Sequence, residues 1–79
     1  MLFRSLLPAG NRAMITDVAA GAEAARAAAV TARLIIEVNL KGITDPMLRD
    51  EFAATATAAD TVIARADQIV AAVRAEISR

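Results

Sequence analysis

The sequence predicts an all-α protein: an antiparallel two-helix hairpin, Ala-rich and coiled-coil-like, with an N-terminal arm, packing in an oligomer or larger complex. Three observations carry this expectation. Ala occurs 21 times in 79 residues, and Ala has the highest intrinsic helix propensity. Beyond Asn11 the chain holds a single Pro, Pro46, and only two Gly, Gly21 and Gly42. In the second half the apolar residues recur in steps of three and four, the spacing of a helical stripe.

Pro8, Gly10 and Asn11 mark off an arm over residues 1–12. Within it Leu2, Phe3, Leu6 and Leu7 surround Arg4 and Ser5 at spacings that bring the apolar residues to one side of a helical turn. The arm is expected to dock into a neighbouring subunit or a partner's groove. Membrane-surface contact is disfavoured, because Arg4 is the single basic residue of Met1–Leu7 where surface-binding helices carry basic clusters. The same stretch makes a poor secretory leader: its apolar run is short, interrupted by Arg4 and closed by Pro8.

The hairpin proper is expected over residues 13–79, with a first helix at about 13–41, a turn at 42–45 and a second helix at about 46–77. The turn is the sharpest local signal. In Asn39-Leu-Lys-Gly-Ile-Thr-Asp-Pro46, Gly42 suits a left-handed residue just past a helix end, with Ile43 folding back on Val38. Asp45 reads as the N-cap of the next helix and Pro46 as its first residue, where a missing N–H removes no hydrogen bond. Asp50 and Glu51 then lie near that helix's positive end and Arg74 and Arg79 near its negative end. A stop and a start this close together make the two helices antiparallel.

In the second helix Phe52, Thr55, Ala59, Val62, Ala66, Ile69 and Val73 form the expected seam, flanked by a column of Ile63, Val70 and Ile77. Asp50, Thr57, Asp60, Asp67 and Gln68 are expected on the opposite, solvated face. In the first helix Glu23, Arg26, Arg33, Glu37 and Lys41 share one polar stripe, and Met14, Val18, Gly21, the Ala residues, Ile35 and Ile36 fill the rest. Ala22, Ala25, Ala29 and Ala32 are expected to face Ala59 and Ala66, and Gly21 to mark a close crossing. A helix apolar over most of its circumference is buried from more than one side. Leu34, Ile35 and Val38, with the arm, are therefore the expected partner contacts.

Composition limits the chemistry. There is no Cys and no His, so disulfides and thiolate or imidazole metal sites are excluded. Nine basic residues balance nine acidic ones, which removes the field that gathers nucleic acid. No window reaches the ~20 uncharged apolar residues of a membrane span. The five acidic residues between Asp50 and Glu76 are spread along a helix rather than converging in a pocket. Thr55, Thr57 and Thr61 have no His or Lys placed to activate them. No cofactor is expected.

The reading that follows is a non-enzymatic structural or assembly protein, a small hairpin subunit of a multi-subunit particle. Its partners would be copies of itself or larger subunits. Eight Arg against one Lys, with abundant Ala, suggest a GC-rich bacterial or phage genome, hence a bacterial cytoplasm or an assembled phage particle. The alternative is a small regulatory binding protein, an antitoxin, enzyme inhibitor or anti-defence protein, that presents a helical face to its target.

Overall fold

A computed structural model of the chain describes residues 9–79. Helix α1 runs Ala9–Leu40 and helix α2 runs Pro46–Ile77. They pack antiparallel as a hairpin, and there is no strand among the described residues. Each helix has 32 residues and so extends about 48 Å. The second helix has the expected bounds, whereas the first starts four residues earlier than the arm boundary implied. Gly10 and Asn11 interrupt nothing there, because they lie in the first turn and their low helix propensity is a cost of helix interiors. Leu2, Phe3, Leu6 and Leu7 lie outside the described residues.

The two helices meet along a regular seam. On α1 it is Ile15, Ala19, Ala22, Arg26, Ala29, Arg33, Ile36 and Leu40; on α2 it is Phe52, Ala56, Ala59, Ile63, Ala66, Val70 and Val73. Both series alternate steps of three and four, the spacing of an antiparallel coiled coil. Ala66, at 3% exposure, is the most deeply covered residue of a core otherwise made of Ala22, Ala29, Ile36, Ala56, Ala59 and Val73. Small side chains in that core let the helix axes approach closely.

The phase of this seam corrects the sequence reading. Ala22, Ala29, Ala59 and Ala66 are buried as expected, but Ala25 and Ala32 are exposed. On α2 the column of Ile63 and Val70, read as flanking, belongs to the seam, and Thr55, Val62 and Ile69 stand outside it. Gly21 marks no crossing within the hairpin either: a Cβ added there would meet nothing within 4 Å.

The turn also closes differently. No glycine among the described residues has a positive φ, so Gly42 is not the left-handed residue expected. Instead the Gly42 N–H donates to the Asn39 carbonyl at 3.1 Å and the Ile43 N–H to the Leu40 carbonyl at 3.3 Å, tightening the last turn. Arg49 then reaches back from α2, and its Nη1 donates to the carbonyls of Leu40 and Ile43, both at 2.7 Å. A guanidinium satisfying those acceptors removes the need for a left-handed cap. Val38 is 70% exposed, so it is not covered by Ile43. At the start of α2, Asp45 is extended (φ −67°, ψ 118°) and its Oδ1 accepts from the Met47 N–H at 3.0 Å, with Pro46 at the first helical position.

Candidate interaction surface

A two-helix hairpin has two broad faces, and the sequence divides them by chemistry. Because the helices are antiparallel, the residue after each seam position points to the same face on both helices, and the residue before it to the other.

The first face is ionic. Arg26 Nε pairs with Asp67 Oδ1 at 2.8 Å, and Arg33 Nε with Asp60 Oδ1 at 2.6 Å. Arg33 Nη1 also reaches Glu37 Oε2 at 2.9 Å, one turn along α1. Seven residues forward on α1 match seven backward on α2, so the two bridges lock the antiparallel register. The hydrogen bond and charge of Asp60, with help from Glu37, hold the Arg33 guanidinium still more firmly protonated than usual. Asp60 and Asp67 were expected on a solvated stripe away from the seam; they border it, because two seam positions are occupied by Arg26 and Arg33. At the open end of this face lies a shallow depression of about 330 Å³ between Thr16, Ala20 and Glu23 of α1 and Val70 and Arg74 of α2.

The second face is almost free of charge. From α1 it presents Met14, Val18, Gly21, Ala25, Ala28, Ala32, Ile35 and Asn39; from α2, Glu51, Thr55, Ala58, Val62, Arg65, Ile69 and Ala72. Arg65 is the one ionisable residue between Thr55 and Ala72, and Glu51 lies at the turn end. Met14 (63%), Val18 (55%), Ile35 (56%), Val62 (41%) and Ile69 (40%) are all exposed, although each is large enough to favour burial.

The residues expected to contact partners do not form one patch with this face. Ile35 belongs to it, Val38 points directly away from α2, and Leu34 lies round the far side of α1 towards the ionic face. Leu34, Ile35 and Val38 together border a shallow hollow of about 230 Å³ with Asn39, and Leu34 is 56% exposed. Met14, Val18, Val62 and Ile69 are partner-facing candidates; the sequence reading placed Val62 and Ile69 in the hairpin's own seam and Met14 and Val18 among the apolar residues that fill the first helix.

The hydroxyls of Thr16, Thr31, Thr55, Thr57 and Thr61 each donate to the carbonyl four residues back, an arrangement that satisfies the hydroxyl locally. Among the described residues there is no cluster of acidic side chains able to hold a metal ion. No helix among them is long and apolar enough to cross a membrane.

The fold and its faces define a class: an all-α hairpin with a thin internal seam and one apolar outer face. The chain belongs to the formiminotransferase-cyclodeaminase family, whose model matches residues 1–58. The match takes in all of α1, the Asp45–Pro46 turn and α2 as far as Ala58. No curated protein and no solved structure matched the chain.

Proposed function

We propose that this chain is an assembly element: a helical hairpin that completes its fold by packing its apolar face against further helices and supplies structure rather than reacting groups. The observation that carries this reading is the exposure of Met14, Val18, Ile35, Val62 and Ile69 together on a single face. A contiguous apolar surface of this kind marks an interaction site. A seam built largely of Ala gives the hairpin little stability to set against it, since each buried Ala methyl contributes only ~1 kcal/mol while ordering a residue costs ~1.5 kcal/mol.

Family membership bears on what is assembled. The family is named for a formimino transfer and a cyclodeamination, which favours a multi-subunit enzyme of that kind over a phage particle as the setting. Within it, the hairpin would contribute packing. Its carboxylates Asp60 and Asp67 are tied to Arg33 and Arg26, and its threonine hydroxyls are bonded to its own backbone. The regulatory alternative draws support from the hollow at Leu34, Ile35 and Val38, which would receive a target on the outer side of α1.

Light scattering with circular dichroism melting, from about 1 to 100 μM chain, tests the reading. An assembly element gives a mass above the monomer and a melting temperature that rises with concentration. A helical monomer whose melting ignores concentration overturns it.

A further inference from the structure

We infer that the occupant of the apolar face is a second copy of the same chain, laid with α1 of one copy over α2 of the other to make a four-helix bundle. This rests on the assembly reading above and names its partner.

The first argument is shape. Along the face α1 reads large, small, large: Met14 and Val18, then Gly21, Ala25, Ala28 and Ala32, then Ile35. α2 reads the reverse: Thr55 and Ala58, then Val62, Arg65 and Ile69, then Ala72. The Arg26–Asp67 and Arg33–Asp60 bridges set the level of one helix against the other. They place Val62 beside Ala28–Ala32, Ile69 beside Gly21–Ala25, Ile35 beside Ala58, and Val18 near Ala72. A two-fold axis along the length of the hairpins, lying in the interface, keeps those levels and lays α1 over the partner's α2. Val62 and Ile69 of each copy then enter the small-residue tract of the other, and Val18 and Ile35 cover the small ends. Such an interface is self-complementary, as a two-fold dimer requires. Laying α1 on α1 would leave the small tracts facing each other across a gap.

The second argument is Gly21. A glycine inside a helix is unfavourable relative to Ala, and nothing in the hairpin approaches the space where its Cβ would be. An open position of that kind on an apolar face suits close approach from outside, here by Ile69 of the second copy.

The third is area and charge. From Met14 to Ile35 the face is about 32 Å long and two helix diameters, roughly 20 Å, wide. A footprint of roughly 600 Å² on each copy exceeds the ~1,000 Å² total that a specific interface needs. Arg65, the one ionisable group of α2 on this face between Thr55 and Ala72, sits at the outer margin, where its stem can cover apolar surface while its head stays in water.

The test uses the full chain in two measurements. Sedimentation of Ala25→Glu and Val62→Glu should show dissociation constants raised about a hundredfold or more, since each buries an unpaired charge. Ala24→Glu, on the side of α1 away from α2, should match the parent. Disulfide trapping needs no folded-state perturbation of that size: mixed Ala28→Cys and Val62→Cys chains should cross-link to the heterodimer, and mixed Ala24→Cys and Val62→Cys chains should not. A parent dimer with both patterns supports the inference. A parent that associates, yet is broken by Val38→Glu and untouched by Ala25→Glu and Val62→Glu, overturns the inference while leaving the assembly reading standing. So does an open-ended series of masses. A monomeric parent overturns both.

Discussion

The two faces of the hairpin are made from the same two helices, yet they hold different kinds of interaction. On the ionic face two Arg residues at seam positions reach Asp60 and Asp67 across the groove, so these four charges satisfy each other within the chain. On the apolar face the side chains that flank the seam have no partner in their own chain, and the largest are 40–63% exposed. The difference teaches what each face contributes: register is set within the chain by charge, and the large apolar side chains of the other face are left exposed.

The largest effect that can break this comparison comes from placing one side chain in two positions. Ala29 is buried in the seam and Ala25, one turn away, is exposed on the apolar face. Ala29→Leu should destabilise the hairpin by about 1–3 kcal/mol through overpacking, with Ala59→Leu and Ala66→Leu behaving alike. Ala25→Leu should leave the stability of the separated hairpin nearly unchanged. Equal losses for both substitutions, measured by urea denaturation at low concentration, would mean that the seam has been assigned the wrong phase.

Phase is also where the sequence was hardest to read. A period of three and four is plain in α2, but Val62–Ile69 and Ile63–Val70 are adjacent columns, both apolar, and periodicity cannot say which one faces the partner helix. The deciding information is the Arg26–Asp67 and Arg33–Asp60 ladder, which depends on residues 41 and 27 positions apart. The Asp45–Pro46 start of α2 was legible because a cap is a local matter of neighbouring residues. The end of α1 was not: Gly42 offered a familiar local solution, and the one adopted is a guanidinium from the following helix. Leu34, Ile35 and Val38, read from the sequence as partner contacts, are exposed, whereas the broader face needed both helices and their register.

Arg49 gives the next effect in size. Its Nη1 bonds to Leu40 and Ile43 cap the end of α1, and Arg49→Ala should cost about 1 kcal/mol, near the value of a typical net hydrogen bond. Gly42→Ala should be tolerated, since the backbone there has no positive φ and the new Cβ would lie 4.0 Å from the Asn39 carbonyl oxygen. Loss of more than ~1 kcal/mol in Gly42→Ala, with none in Arg49→Ala, would restore the glycine as the device that ends α1.

Gly21→Ala sharpens the contrast through opposite signs. In the separated hairpin the added methyl meets nothing and should raise stability by about 0.5–1 kcal/mol through helix propensity. In the associated state the same methyl occupies the space of an incoming side chain and should weaken binding. Thermal melts at low and high concentration read both signs, and a gain at every concentration would separate Gly21 from any interface.

The smallest effects belong to the ionic face, and salt makes them readable. The pairs are only partly covered, with 40% and 35% of the Arg26 and Arg33 side chains exposed, so each bridge should contribute little to stability. Arg33→Gln should cost more than Arg26→Gln, because Arg33 also holds Glu37. Raising sodium chloride from about 0.05 to 1 M shortens the screening length from more than 10 Å to about 3 Å, and should shrink both losses. Association through the apolar face has little charge to screen and should persist over the same range. Salt therefore acts on one face and spares the other. If added salt dissolves the oligomer while leaving the Arg33→Gln deficit intact, the copies are held together by the charges, and the assignment of the two faces must be exchanged.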